Sequence, residues 1–274
     1  MIRRSSAVAG LTAVLALAAA GVASAHTIVR PQPRTSPFQS AFNDVVGSTN
    51  WSGYAVQAPS RFTSVSGSWV EPTATCSGTT TRRHGRGGRG GGGSQTFASF
   101  WAGIDGYSSN SVEQLGTDSD CNGGTPSYYA WYELFPAGSI NLSTSQFPVR
   151  PGDTLSASVT FSGTSFTLSM SSSEGWRFST SGSASVAQSS AELIAESPEV
   201  CSGNFCQLAN LSNFGTVNFS GATATAGGAA SPFGSFTADS GPHEIVGVTN
   251  SGAVKMQPSS LSGGNAFSVS WEHS

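Results

Sequence analysis

Apolar and polar residues alternate along several short stretches of the chain. Between residues 153 and 161 the alternate apolar positions are Leu155, Ala157, Val159 and Phe161. After a polar turn at 162–165, the same alternation resumes from Phe166 to Met170. Period-two alternation on both sides of a short turn is typical of a β-hairpin with one buried face.

The same pattern recurs towards the C-terminus. Residues 245–248 and 253–256 flank a turn at 250–252 and predict a second hairpin, and residues 267–271 alternate again as a final strand. No long stretch has the helical period. Many short strands without helices between them predict an all-β fold, an antiparallel two-sheet β-sandwich.

The composition adds a preference for low pH. Charged residues make up 10% of the 274 residues, and Lys255 is the only lysine. A surface with few ion pairs loses little folding stability when its carboxylates protonate, so we expect the protein to tolerate acid. The alternative is that the composition only reflects the residue usage of the source organism. The net charge of −3 argues against nucleic acid as a partner.

The N-terminus resembles a secretory signal. Arg3 and Arg4 precede an apolar run at 7–22 and an Ala-Ser-Ala cleavage site at 23–25. We therefore expect a signal peptide at 1–25 and an extracellular protein, with a membrane anchor as the alternative. The apolar run is short for a membrane span, and no later segment could form one.

Two further segments lie outside the regular pattern. Residues 26–46 contain three prolines and predict an N-terminal arm or a short propeptide, so the predicted domain covers 47–274. Residues 82–93 are rich in arginine and glycine. They predict a disordered, solvated loop, with contact to an anionic surface as the alternative.

Four cysteines allow three pairings. Cys201 and Cys206 would close a small loop, and Cys76 would then pair with Cys121. Export permits these disulfides. A zinc site is the alternative, but there is only one close cysteine pair and no histidine near it.

The sequence lacks the residues that serine hydrolases and metal-dependent hydrolases need. His243 is the only histidine within the predicted domain and outside the Arg/Gly-rich loop and the last two residues, and no G-x-S-x-G or HExxH motif is present. Serine hydrolysis and metal catalysis are therefore disfavoured, and we expect no metal and no cofactor. Carboxylates remain as the candidates for acid–base chemistry.

One segment places carboxylates among apolar strand residues at 191–196. If it is a strand, Glu192, Ile194 and Glu196 share a face, as suits the concave side of a sheet that holds a ligand. The alternative is a solvent-facing edge strand.

Five blocks in order resemble the signatures of the glutamic peptidases, also called eqolisins: residues 50–54 (NWSGY), 101–106 (WAGIDG), 113–116 (EQLG), 130–133 (AWYE) and 191–196 (AELIAE). The resemblance implies a concanavalin A-like sandwich and a Gln/Glu catalytic dyad. The dyad maps to Gln114 and to Glu196, the last acid of its block, with Glu192 as the secondary candidate.

The resemblance also implies supporting residues: Trp51, Trp101, Asp105, Asp118 and Glu133. Two departures concern the loop at 82–93 and Tyr129, which stands where some family members have an acid. We expect a secreted, monomeric, acid-acting endopeptidase for polypeptide substrates. A carbohydrate-active or sugar-binding β-sandwich and a non-catalytic adhesion module are the alternatives, because paired carboxylates are used by glycosidases and Trp51, Trp101 and Trp131 could stack on sugars.

Overall fold

The computed structural model describes residues 45–77, 95–183, 187–203, 205–237 and 241–274, together with the backbone of two short arm strands. The predicted signal peptide and the Arg/Gly-rich loop lie outside the described residues. The strands are β1 Thr27–Val29, β2 Thr35–Gln39, β3 Val45–Ser48, β4 Trp51–Gln57, β5 Phe62–Val70, β6 Gln95–Thr96, β7 Ser99–Ile104, β8 Val112–Asn122, β9 Thr125–Phe135, β10 Ile140–Asn141, β11 Thr154–Ser162, β12 Ser165–Ser172, β13 Arg177–Gly182, β14 Ser190–Glu196, β15 Glu199–Ser202, β16 Phe205–Leu208, β17 Thr216–Ala226, β18 Ala229–Pro232, β19 His243–Val248, β20 Val254–Pro258 and β21 Phe267–Trp271.

Most of these strands form two layers, whereas β1, β15 and β16 form a separate small sheet. The first layer has the order β10-β9-β8-β7-β14-β4-β19-β3-β2, and all its pairings are antiparallel except β3 with β19. The second layer has the order β13-β12-β11-β5-β17-β21-β20 and is antiparallel throughout. Strand β19 joins the layers, because it pairs with both β4 and β20. The predicted all-β sandwich is confirmed.

Apolar side chains from both layers fill the space between them. Leu115 and Leu193 from the first layer belong to the same buried cluster as Val65 and Leu168 from the second. The fit is close at Gly67, where an added Cβ would lie 2.2 Å from a methyl carbon of Leu193. Such interdigitation holds the layers at a fixed separation and keeps the first layer rigid beneath its outer face.

The predicted hairpins and disulfides are confirmed. Strands β11 and β12 pair in register through 162–165, and β19 pairs with β20. Cys76 is bonded to Cys121 and Cys201 to Cys206. The second disulfide lies in a small sheet of β1, β15 and β16.

Strand β14 lies in the middle of the first layer, between β4 and β7. All seven of its residues are buried. The edge-strand alternative for residues 191–196 is therefore wrong. A central strand has both neighbours fixed by hydrogen bonds, so the side chains that it carries are held precisely relative to both flanking strands.

None of the described residues belongs to a helix long and apolar enough to cross a membrane. The only helical segment among them is the single 3-10 turn Phe233–Ser235.

Candidate active site

The outer face of the first layer carries three parallel rows of side chains across β14, β7, β8 and β9. Residues that pair directly across strands point to the same face, and so do residues two apart along a strand. The first row is Glu192, Gly103, Gln114 and Glu133; the second is Ile194, Trp101, Gly116 and Trp131; the third is Glu196, Ser99, Asp118 and Tyr129. Polar rows thus lie on both sides of a mainly apolar one.

Glu196 is fully buried and accepts hydrogen bonds from two nitrogen donors. The indole Nε1 of Trp101 donates to Oε2 at 2.8 Å, and Nδ2 of Asn50 donates to Oε1 at 3.2 Å. Hydrogen bonds from N–H groups to both carboxyl oxygens favour the ionised form. Glu196 is thereby prepared to accept a proton.

Gln114 is also buried, and Glu133 holds it in place. Its Nε2 donates a hydrogen bond of 2.9 Å to Oε2 of Glu133, its partner across β8 and β9. A carboxylate only accepts hydrogen bonds, so this contact fixes which end of the Gln114 amide is the NH₂ group.

Gln114 and Glu196 lie on a diagonal of the face, with Trp101 between them. Trp101 is on the intervening strand and in the intervening row. Along its own row Gln114 is closer to Glu192 than to Glu196, because only Gly103 lies between Gln114 and Glu192. An added Cβ at Gly103 would lie 2.8 Å from Cζ3 of Trp101 and 3.2 Å from Cβ of Gln114, so glycine leaves room for the indole beside Gln114.

Three tryptophans form the apolar part of the face. Trp51 pairs with Glu196 across β4 and β14, and its ring meets Trp101 edge to face at 4.8 Å. Trp131 belongs to the same buried cluster, which is separate from the main core. The indole rings exclude water from around the carboxylate and strengthen its electrostatic interactions.

Asp105 is an anchor at the end of β7. It has a φ of 70°, a conformation that Asp tolerates better than most residues. Its carboxylate accepts hydrogen bonds from the backbone N–H groups of Gln188 at 2.7 Å and Ser189 at 2.8 Å, and from the hydroxyls of Ser189 and Ser109. These bonds tie β7 to the segment that leads into β14.

Asp118 lies in the row of Glu196 and contacts Tyr129. The hydroxyl of Tyr129 is 2.8 Å from Oδ2 of Asp118 and 2.8 Å from Oδ2 of Asp120. A phenol has one proton, so the Tyr129 hydroxyl can donate to only one of the two carboxyl groups at a time. The departure from the family pattern at Tyr129 thus links two carboxyl groups through one hydroxyl.

Glu192 is buried without the donors that Glu196 has. Among the described residues neither of its carboxyl oxygens has a hydrogen-bond partner, although the nearby Ser190 hydroxyl and the Tyr107 backbone partly offset the effect of burial on its pKa. Burial, followed by the charges of Asp105 and Glu113, raises the pKa of Glu192 well above its usual value. Burial and Asp105 likewise raise the pKa of Glu113 to about 9. Both groups are carboxylic acids at acidic pH.

The described residues offer one group of three potential metal ligands, Glu199, Cys201 and Cys206. The two cysteines are joined in a disulfide, which removes their thiolates as ligands.

A wide groove of about 660 Å³ covers the outer face of the second layer. Its lining consists largely of serine hydroxyls, and Arg177 is its one ionisable side chain. It is lined by the second layer, whereas the three rows lie on the first, and it has no acid–base pair, so its size does not make it the candidate active site.

Three residues have roles at the site that the sequence did not predict. Asn50 contacts Glu196 and Tyr129 contacts Asp118, although both residues lie in or beside the family blocks. Lys255 is 5% exposed and interacts electrostatically with Glu196. A single lysine between valine and methionine in a strand is the signal that would have identified it.

Comparisons with known proteins agree on one relationship. The model of the peptidase A4 family matches residues 49–271. Aspergillopepsin-2 of Aspergillus niger is 30% identical over 197 residues, which cover 66% of this chain and 66% of that protein, just under two thirds of its length. The crystal structure of aspergilloglutamic peptidase from Aspergillus niger is 26% identical with a TM-score of 0.54, and the match covers 65% of this chain and 99% of that one.

Proposed function

The chain belongs to the peptidase A4 family, the glutamic peptidases, and on that premise we propose that it is an acid-acting endopeptidase with Glu196 and Gln114 as its catalytic pair. The observation that carries the assignment is the pair of N–H donors on Glu196, which prepare this one carboxylate as a base. Family membership favours peptide substrates over the sugars that the sequence left open.

Glu196 begins the reaction as a general base. It takes a proton from a water molecule while the water oxygen attacks the peptide carbonyl carbon. The protonated Glu196 then donates that proton to the leaving nitrogen as the C–N bond breaks. A free glutamate titrates near pH 4.3, so a group that alternates between base and acid works best in acidic solution.

Gln114 stabilises the intermediate. Glu133 holds the amide through one N–H, and the nitrogen carries a second N–H that donates to the oxyanion when substrate is bound. An amide does not titrate, so this donor is present throughout the acidic range.

Glu192 is closer to Gln114 in register, but its charge state is unsuitable for a base. Its raised pKa keeps it protonated where the enzyme works, whereas Glu196 is stabilised as an anion. We assign Glu192 a supporting role: a neutral acid in the cleft that adds no negative charge beside the developing oxyanion.

In this proposal residues 26–44 of the predicted arm at 26–46 act as a propeptide, because Val45 begins β3. Glu196 and Gln114 are 0% exposed in this chain, which retains the arm. Strand β1 pairs with β15, which follows Glu196 closely, and β2 pairs with β3, which leads to Asn50. Removal of the arm would free both flanks of Glu196, and a maturation point before Val45 would keep β3 whole. If a chain that retains residues 26–44 is as active as one without them, the propeptide role is wrong.

We further propose that the mature chain is an extracellular monomer. The two disulfides suit an oxidising compartment. Size-exclusion chromatography of the secreted chain, with N-terminal sequencing, tests both the assembly state and the maturation point.

The catalytic assignment is tested by digestion of acid-denatured casein between pH 2 and 8, with EDTA and serine-protease inhibitors as controls. Glu196→Gln should abolish activity with the melting temperature retained, whereas Glu192→Gln should keep most of it. An active Glu196→Gln beside an inactive Glu192→Gln would transfer the role of base to Glu192.

A further inference from the structure

The outer face of the first layer is apolar beyond the row of Gln114. Val112 lies two residues before Gln114 on β8 and pairs with Phe135 on β9, so both side chains point to the same face as Gln114. Phe135 packs against the buried cluster that contains Val112 and Trp101, and it remains partly exposed. The edge of the site next to Gln114 is therefore lined by apolar side chains.

Tyr107 belongs to the same edge. It lies in the loop between β7 and β8, packs against the same buried cluster and is also partly exposed. The preceding Gly106 fits tightly, because an added Cβ would lie 2.5 Å from Cγ2 of Val112 and 3.0 Å from Cη2 of Trp51. The loop thus rests directly on the outer face beside Val112. Tyr107, Val112 and Phe135 together form an apolar wall.

Neighbouring contacts hold the Tyr107 ring in position. The ring stacks on that of His243, with centroids 5.0 Å apart and 19° between the planes. The hydroxyl of the next residue, Ser108, accepts a 3.0 Å hydrogen bond from Nε2 of Gln57 and donates one of 3.0 Å to the hydroxyl of Ser189. A ring that is already fixed offers its surface to a ligand at a low cost in conformational entropy.

The opposite edge of the site is polar. The row of Glu196 continues to Asp118 and Tyr129, and the Tyr129 hydroxyl lies 2.8 Å from a carboxyl oxygen of both Asp118 and Asp120. A peptide that crosses the face from Glu196 to Gln114 therefore passes from carboxyl groups to the apolar wall. The two halves of a substrate meet different chemistry.

The proposed mechanism orients the substrate between these edges. Glu196 protonates the leaving nitrogen, and Gln114 donates to the carbonyl oxygen. The leaving amine accordingly lies towards Glu196, and the acyl part of the substrate lies towards Gln114 and the apolar wall.

We propose that Tyr107 and Phe135 are specificity-determining residues that receive a large apolar side chain on the acyl side of the scissile bond. The inference rests on the proposed function and adds a side-chain preference to it. A phenylalanine side chain buries far more apolar area against the wall than an alanine does, so kcat/KM should favour Phe over Ala by about tenfold or more.

Pairs of fluorogenic peptides test the preference on the secreted, processed chain. The two peptides of a pair differ only by Phe or Ala at one of the three residues before the scissile bond. The parent should prefer Phe by about tenfold or more at one of these positions, and Tyr107→Ala should reduce that ratio to about threefold or less. Tyr107→Phe should keep the ratio, because it keeps the ring.

Tyr132→Ala is the matched control. Tyr132 is also partly buried and stacked on an aromatic ring, that of Phe178 at 5.5 Å, but it packs against the main core and not against the cluster of the site. This variant should keep the parental ratio of Phe to Ala. A smaller ratio in Tyr132→Ala equal to that in Tyr107→Ala would assign the effect to general loosening of the fold.

The outcomes separate this inference from the proposed function. A parental ratio in both Tyr107→Ala and Phe135→Ala, or a Phe preference that lies only after the scissile bond, would reject the inference while Glu196→Gln remains inactive. An active Glu196→Gln would reject the proposed function. Should Tyr107→Ala fail to fold, Tyr107→Leu and Phe135→Ala decide the question through the same ratio.

Discussion

The indole N–H of Trp101 donates a 2.8 Å hydrogen bond to Oε2 of Glu196, although the two residues are 95 positions apart in the chain. Strands β7 and β14 bring them together: Trp101 pairs with Ile194, and Glu196 lies two residues further along β14 on the same face. The ring is also packed against Trp51, so the donor cannot turn away from the carboxylate without disturbing a buried contact. Trp101 therefore controls both the orientation and the charge of Glu196.

Replacing Trp101 by Phe should lower kcat by about tenfold or more, because a hydrogen bond to a charged group contributes about 1.5–3 kcal/mol. The acid limb of kcat/KM should move to higher pH, since the ionised form of Glu196 loses a donor. Steady-state kinetics across pH 2–6 measures both effects. Trp131→Phe is the matched control in the same row, and an identical loss in both variants would assign the effect to packing.

Removing the carboxylate of Glu133 should lower kcat with little change in KM, because Gln114 loses the contact that orients it. Glu133→Leu tests the loss of the hydrogen bond, and Glu133→Gln keeps the size and an acceptor but removes the charge. The expected order of kcat is parent, Glu133→Gln, Glu133→Leu. A parental kcat in Glu133→Leu would show that Gln114 is held by other contacts.

Gly103→Ala tests how closely the indole and Gln114 fit. The added Cβ would lie 2.8 Å from Cζ3 of Trp101, a ring atom that cannot move aside alone. The displaced ring should weaken its bond to Glu196, and kcat/KM should fall by about tenfold or more. The measurement is kcat/KM beside the melting temperature. If stability falls and kcat/KM is kept, the ring has moved without disturbing Glu196.

The protein should be most stable in acid. Burial raises the pKa of Glu71 to about 8, a group to which Thr117 and Ser119 donate hydrogen bonds at 2.5 and 2.8 Å. Its folded-state pKa lies above its unfolded value, so the folded chain binds more protons between about pH 4.5 and 8, and stability falls as the pH rises through that window. Each unit of difference contributes about 1.4 kcal/mol.

Thermal denaturation from pH 3 to 9 measures this dependence. The melting temperature should decline above about pH 5, and Glu71→Gln should flatten the decline because a neutral amide binds no proton. Glu174→Gln on the surface is the control. A melting temperature that rises between pH 5 and 8 would contradict the prediction.

Local pattern was sufficient for much of the fold. The alternation at 153–161 and 166–170 identifies β11 and β12, because a strand with one buried face shows period two whatever its partners are. The cysteine spacing and the family blocks similarly identified the disulfides and most of the site face. The pattern at 191–196 gave the shared face of Glu192 and Glu196 but left open whether the strand was central or at an edge.

Tertiary structure alone decided the electrostatics of the site. Asn50 and Glu196 are 146 residues apart in the chain, and only the complete fold brings them into hydrogen-bond contact. Nothing in the sequence around Glu192 and Glu196 distinguishes their charges. Strand pairing places N–H donors beside Glu196 and buries Glu192 near the carboxyl groups of Asp105 and Glu113. Charge state depends on neighbours in space, and a sequence specifies those neighbours only through the complete fold.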